Sequence, residues 1–536
     1  MGLKKVLVSD PVAEDGIKIL KEVAQVDVKT SLSRAELLSI IGDYDALLVR
    51  SGTQVDAEII AAGNNLKVIG RAGVGVDNID VEKATEMGIL VINAPEGNTI
   101  SAAEHTMAMM MALSRNVPNA CSSLRCGEWK RSKYMGVELY RKKLGIIGFG
   151  RIGQEVAVRA RAFGMDILAY DPYISSEYME KQGCRGVTLD QLFAEADLIT
   201  IHTPKSADTR YMIAADTLAR MKDGVRIINV ARGGLIDEKA LHDAIVSGKV
   251  AGAALDVFES EPPGDSPLLK LEQVICTPHL GASTEEAQVK VAVQVAEQFV
   301  RLFRGEPVQM AVNAPILPPE TMAELKPFIP LMTVMGSFFM QFFGGRVKHV
   351  AINYSGEISA QPVAPLTTAL LIGLLQVVLK SDVNYINALP TAKQRGIKIE
   401  ESTSKSVPIY RSLITAKVTT EEGTHIVGGT VFEGKEMRIV QVDDYNIEVI
   451  PSRYMVVNRY HDRTGVVGKV GTLLGQNSVN IGSMQVGRNL GRGEAMMVLQ
   501  VDSSMPPEII AEMQGDDLMI RSRFIELPLE GMIAGG

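Results

Sequence analysis

The sequence predicts an α/β protein that begins with two doubly wound parallel sheets, followed by an α+β domain and a small ferredoxin-like unit. Three observations carry that prediction. Apolar strand-like runs alternate with helical segments from Lys4 to Pro95, the series resumes from Lys143 to His279, and beyond about residue 318 the alternation stops. Alternating βα units read as parallel sheets, because parallel strands need crossover helices. A length of 536 residues gives room for roughly three or four domains.

In the first series VLVSD, ALLVRS, LKVIGRAG and ILVINAP are the strands, and Arg34 to Ile41 is one of the helices. Two strand ends deliver Arg50 with Ser51, and Arg71 with the glycine-rich turn Ala72 to Gly75. A helix from Thr99 to Arg115 leads to the second series. There KLGIIGFGRIG follows a strand, Leu144 to Ile147, and precedes a helical pattern, Gln154 to Phe163. A lone GxGxxG is weak, but a strand before it and a helix after it make it a dinucleotide fingerprint. Gly148 permits the tight turn, Gly150 lets backbone approach a pyrophosphate, and Gly153 lets the helix pack closely. The helix N-terminus adds partial positive charge. The next strand closes on Asp171, which can accept the ribose hydroxyls and would repel the extra phosphate of NADP. Pro172 and Tyr173 supply no compensating cation, so NAD is the expected cofactor.

Three further strand ends carry chemistry: RIINVARGG brings Arg232, DVFESEPP brings Glu261, and VICTPHLGAST brings His279. Open nucleotide-binding sheets bind ligands at the carboxyl ends of their strands, so these groups share one crevice. Moving a hydride at a hydroxyl-bearing carbon also needs a proton acceptor, and imidazole suits neutral pH. His279 is the best placed of seven histidines. His202 in TIHTP lines the cofactor pocket, while His105, His242, His349, His425 and His461 have no comparable setting. Glu261 can hold the ring, with Glu259 as the competing carboxylate. Arg232 can fork onto a substrate carboxylate, and Asp256 either supports structure or faces the nicotinamide.

The helix Glu285 to Phe303 and the segment Val312 to Pro315 close the enzyme-like part. Pro327 to Gly345 reads as a buried amphipathic helix, since two prolines, a glutamine and three glycines interrupt it and a membrane span needs an unbroken apolar run. From Arg453 to Pro528 the order strand, helix, strand, strand, helix, strand is the ferredoxin-like plan. A net charge of −8 argues against nucleic acid as a partner. The start MGLKKVLVSD enters a strand without a secretory signal, which points to the cytoplasm. Four cysteines lack metal-like pairing and cannot frame a fold of this length, so no metal is expected.

GFGRIG, NVARGGLIDE, GAALDVFESEPP and TPHLGASTEEAQ, with RAGVGVDNID and NAPEGNT in the first lobe, resemble the signatures of the D-2-hydroxyacid dehydrogenases over essentially the whole chain. The resemblance implies His279 as acid/base, Glu261 as its partner and Arg232 as the carboxylate anchor. It implies Gly148, Gly150, Arg151, Ile152 and Gly153 at the pyrophosphate and Asp171 at the ribose. Thr203, Val230, Asp256, Val74 and Gly281 would line the rest of the NAD site. Arg71, Gly73 and Asn98 would touch substrate, and Arg50 with Ser51 its phosphate end, joined by Lys130, Arg131 or Lys133 across a subunit boundary. The reaction implied is oxidation of 3-phospho-D-glycerate to 3-phosphohydroxypyruvate, the opening step of serine synthesis, with reduction of 2-oxoglutarate as a side activity. The alternatives are a hydroxypyruvate or glyoxylate reductase, and an NAD-sensing corepressor. The implied domains are a flavodoxin-like substrate domain (1–97 and 296–318), an inserted Rossmann-type NAD domain (98–295), an intervening, allosteric-substrate-binding-like domain (319–450) and an ACT regulatory domain (453–528). Tyr460, Asp462 and Asn480 match positions that bind L-serine in regulated relatives. A homotetramer is implied, with a dimer as the alternative.

Overall fold

The computed structural model describes residues 3–529, apart from 380–382, 407–408, 434–435 and 490. The N-terminal lobe holds five parallel strands, Lys4–Val8, Ala24–Val28, Ala46–Val49, Val68–Arg71 and Leu90–Ile92, with the first between the second and third. Its central strands are buried on both faces, as covered parallel strands must be. This is the flavodoxin-like order, and it brings the ends of the third and fourth strands, Arg50 and Arg71, to one edge.

The helix Glu285–Phe303 belongs to this lobe by packing. Val291, Val295, Ala296 and Phe299 lie in the lobe's core, and Gly16 and Gly70 leave room for the helix. We therefore propose that the second crossover between lobes falls near residue 284, rather than at the boundary of 295 expected from sequence. Residues 285–295 read as a continuation of the nucleotide lobe because nothing local marks which core an amphipathic helix will cover.

The second lobe carries seven parallel strands. From one edge they run Val274–Cys276, Val250–Leu255, Val225–Asn229, Leu198–Ile201, Lys143–Ile147, Asp166–Tyr170 and Arg185–Gly186. The order reverses beside Lys143–Ile147, which puts the glycine loop at the switch point. Its helix spans Arg151–Ala162 and starts earlier than the periodicity suggested, because Gly150 itself is the N-cap. The helix Thr99–Ser114 joins this lobe through Ala103, Met107 and Met110.

The C-terminal half holds a six-stranded mixed sheet and a four-stranded antiparallel one. Against the first pack the helices Phe328–Phe342 and Ala364–Leu379. The former is buried on nearly every side from Leu331 to Met340, not amphipathic as its sequence suggested. The partner helix and the sheet leave it no wet face. The last sheet runs Ile481–Asn489, Glu494–Val501, Tyr454–His461, Met519–Glu526, with helices Val466–Gln476 and Pro507–Gln514, the expected plan. Among the described residues no helix is long and apolar enough to cross a membrane.

Candidate active site

His279 follows the edge strand Val274–Cys276 in a turn that puts it at φ 54°, left-handed for a side-chain-bearing residue. Its N–H is held by the carbonyls of Asp256 (2.9 Å) and Thr277 (3.0 Å). The ring Nδ1 lies 2.7 Å from Glu261 Oε2, and Glu261 Oε1 accepts the Phe258 N–H at 3.1 Å. Burial presses the Glu261 carboxyl upward, but the bond and charge of His279 and the Phe258 amide outweigh it and hold it below the usual range. Glu259 turns the other way, accepting from Tyr211 Oη and the Glu238 N–H. The competition between the two carboxylates is decided for Glu261.

Asp256 is 0% exposed. It accepts the Thr277 hydroxyl at 2.5 Å and the N–H groups of Leu280 (2.7 Å) and Gly281 (2.8 Å). Burial raises its pKa, yet His105, Thr277 and these amides together keep it below the usual carboxylate range. Of the two roles open from sequence, support of the His279 turn is the one this geometry displays. His105, without a distinguishing setting in the sequence, sits 3.2 Å from Asp256.

Arg232 ends a loop after Val225–Asn229 and crosses to the first lobe, where its Nε donates to Asp77 Oδ2 at 3.0 Å. Its guanidinium lies so close to Gly75 that any side chain there would overlap it. The Arg232 loop also adjoins the Glu261 loop, because Gly233 presses on the Phe258 carbonyl. Asp77 was missed from sequence, although it lies within RAGVGVDNID; only the fold brings a second-lobe arginine to it. Arg71 donates to the Gly75 carbonyl. Burial first, and then the charges of Arg232 and Arg50, press Arg71 down to about 10. Three guanidiniums from both lobes thus crowd one region, and a site of that kind attracts anions. Arg50 is set by Asp10, which accepts its N–H at 2.6 Å. Arg71 Nε and Asn98 Oδ1 are buried without a protein partner, the condition a ligand would relieve. Asn98 caps the helix Thr99–Ser114 with its backbone only. Ser51 is exposed beside Arg50. Gly73 accepts the Ala94 N–H at 2.9 Å, and the Val74 carbonyl accepts Asn93 Nδ2 at 2.5 Å.

The residues present fit a dinucleotide. Gly148 has φ 92° and lies against the His202 carbonyl, Gly153 presses on the Gly148 carbonyl, and a side chain built at Gly150 would meet open space. Asp171 accepts the Phe149 and Tyr173 N–H groups, each at 2.9 Å, which aims the carboxylate at the glycine loop. Arg151 opens the helix and pairs with Glu96 of the first lobe at 2.7 Å. Ile152 packs against the lobe core, Thr203 borders Gly148, and Val230 touches Gly281. His202 is partly buried, and loss of hydration drives it down to about 4, hence neutral.

In the C-terminal sheet Tyr460 is 2% exposed and belongs to the core. Asp462 pairs with Arg488 at 2.6 Å, and Asn480 donates to Asp502 at 2.6 Å. Lys130 and Lys133 pair with Glu128 and Glu272 within the chain.

A switch-point glycine loop, a His–Glu pair and an arginine at adjoining strand ends define an NAD-dependent dehydrogenase of 2-hydroxy acids. Residues 107–281 match the model of the D-isomer specific 2-hydroxyacid dehydrogenase NAD-binding domain, 324–443 that of the D-3-phosphoglycerate dehydrogenase intervening domain, and 454–516 that of the ACT domain. Proteins described as D-3-phosphoglycerate dehydrogenase from Synechocystis sp. and Archaeoglobus fulgidus are 49% and 45% identical. The alignments cover 95% and 98% of this chain and 92% and 100% of those proteins. The chain belongs to the D-3-phosphoglycerate dehydrogenase family. Among solved structures, a glyoxylate reductase from Paecilomyes thermophila matches with TM-score 0.54 and 34% identity, over 58% of this chain and 99% of its own. A D-lactate dehydrogenase from Aquifex aeolicus, complexed with NAD and lactic acid, matches with TM-score 0.51 and 30% identity, over 56% and 96%.

Proposed function

We propose that this chain oxidises 3-phospho-D-glycerate to 3-phosphohydroxypyruvate with NAD, the opening step of serine synthesis. The observation that carries the reading is the His279–Glu261 pair at 2.7 Å on a cleft crowded by Arg50, Arg71 and Arg232. The substrate is a dianionic or trianionic three-carbon acid, and a cationic cleft with one base matches its charge. NAD, when bound, supplies the acceptor for the hydride leaving C2. Gly148, Gly150, Arg151, Ile152 and Gly153 would hold its pyrophosphate and Asp171 its ribose, with Thr203, Val230, Val74 and Gly281 around the remainder and Asp256 acting behind them through the His279 turn.

In the mechanism Glu261 accepts the Nδ1–H of His279, which leaves Nε2 as the base for the C2 hydroxyl proton. The carboxylate then stabilises the imidazolium. Arg232 fixes the substrate carboxylate and faces the oxygen on which negative charge builds in the reverse reaction. Arg71, Gly73 and Asn98 orient the acid, and Arg50 with Ser51 takes the phosphate, joined by Lys130, Arg131 or Lys133 of a second copy in a homotetramer. Four unpaired cysteines accord with a cytoplasmic setting. Asp462 and Asn480 remain the accessible part of an L-serine site, Tyr460 serving as its floor.

The test is NADH oxidation with phosphohydroxypyruvate and with unphosphorylated hydroxypyruvate or glyoxylate, for wild type, His279→Ala and Arg50→Ala. Loss of a general base lowers kcat by about 10²–10⁴-fold, the expected result for His279→Ala. Arg50→Ala should raise KM for the phosphorylated substrate and leave the other little changed. Wild-type turnover in His279→Ala overturns the assignment, and a higher kcat/KM for the unphosphorylated acid favours a reductase. In the same assay, serine in the millimolar range should slow the initial rate; a flat response removes the effector reading.

A further inference from the structure

We propose that His105 is a positioning residue for the dehydrogenase reaction: it fixes the buried Asp256 carboxylate and, through it, the turn that presents His279. The inference rests on the acid/base reading of His279. Four donors reach the Asp256 carboxylate, two from side chains and two from backbone N–H groups. The Thr277 hydroxyl and the N–H groups of Leu280 and Gly281 all belong to the strand end and turn that carry His279. His105 is the donor from another element, the helix Thr99–Ser114. Without it, carboxylate and turn would hold each other and be tied through that carboxylate to nothing outside themselves.

The geometry also fixes the hydrogen. Thr277 spends its hydroxyl hydrogen on Asp256, so it can only accept from His105 Nε2, 3.1 Å away. Asp256, held ionised, likewise only accepts. Nε2 therefore carries a hydrogen shared between the two oxygens. The demand on this clamp is high, because His279 stands at φ 54°, a conformation that persists in a side-chain-bearing residue only where its surroundings over-determine it. The backbone carbonyl of Asp256 takes the His279 N–H at 2.9 Å, so a shift of Asp256 moves the catalytic residue directly. The helix that carries His105 opens at Asn98, the residue expected to touch substrate. One rigid element therefore spans the substrate side and the support of the base.

The test is a double-mutant cycle of His105→Leu with Asp256→Asn, and His105→Gln as the conservative variant. His105→Leu should lower kcat by about 10–100-fold, the effect of a sub-ångström to ångström misplacement of a reacting group, with KM for the acid little changed. His105→Gln, which keeps an N–H donor, should recover most of the rate. In the Asp256→Asn background His105→Leu should add little further loss, since both act through one carboxylate. Fully additive losses, or wild-type kcat in His105→Leu, overturn the proposal. If the leucine variant does not fold, His105→Asn, polar but too short to reach, replaces it in the cycle. His279→Ala is measured alongside. Activity retained there defeats the acid/base reading itself, whereas activity lost there and kept in His105→Leu defeats only this inference.

Discussion

Glu261 and its neighbour Glu259 are chemically alike and two residues apart, yet one serves the imidazole and the other caps a helix. The difference is orientation, set by Phe258 N–H on one side and Glu238 N–H on the other. Since the His279 bond and charge hold the Glu261 pKa below its ordinary value, the pair adds stability above the unfolded carboxylate pKa. That contribution fades as pH falls through the lower, folded value. Glu261→Gln removes the charge but keeps the shape. We expect its kcat to fall by about 10–100-fold, as for other groups that orient a reacting residue, with the acid KM nearly constant. Its thermal midpoint should sit below wild type at pH 7 and converge on it towards pH 3. A constant gap between the two midpoints across that range would show that the pair's charge contributes nothing. Much of this residue scale is legible in the sequence, because glycine loops and strand-end charges are local features. Asp77 and His105 are not, since each acquires its role from a partner more than a hundred residues away, Arg232 and Asp256.

Elements were legible to the degree that their surroundings were uniform. The covered parallel strands declare themselves as apolar runs, but the helix Glu285–Phe303 carries no mark of the core it serves. Similarly, Phe328–Phe342 looked one-sided until its partner helix was in place. That partner, Ala364–Leu379, approaches closely enough that a Cβ on Gly336 would lie 2.3 Å from the Leu370 carbonyl, and one on Gly373 would lie 2.0 Å from the Thr333 carbonyl. Both neighbours are backbone, which cannot swing aside as a side-chain tip would. Even Gly373→Ala must push the helices apart, and overpacking of this kind costs about 1–3 kcal/mol. The expected outcome is a lower unfolding temperature for the C-terminal half with unchanged NADH affinity in the catalytic lobes. An unaltered melting profile would mean that the crossing has slack that these distances deny it.

On the scale of the whole molecule the chain divides unevenly. The four-stranded terminal sheet buries Met455, Val457, Met496, Val498 and Ile525 in the same core as Phe338 and Leu370 of the preceding domain. Arg521 donates to the carbonyls closing the helix Phe328–Phe342, and Gln341 bonds the backbone of Glu526 in both directions. Among the described residues the contact against the catalytic half is slighter and includes Asn384 Nδ2 on the Gly88 carbonyl at 2.9 Å, Gln394 on Glu86 at 3.4 Å, Ile386 against the lobe core, and the linker at Val312 and Asn313. Shared apolar burial couples unfolding far more strongly than a few polar contacts do, so the last two domains should melt as one unit, apart from the catalytic lobes. Calorimetry tests this. NADH at about 100 times its Kd stabilises the state that binds it by about 2.7 kcal/mol and should raise only the catalytic transition. Arg521→Ala should lower only the other, because its guanidinium bonds lie wholly within the C-terminal unit. Two transitions that moved together under either change would instead mean that the small Gly88–Asn384 junction transmits the stability of one half to the other, and that the C-terminal core is no separate body.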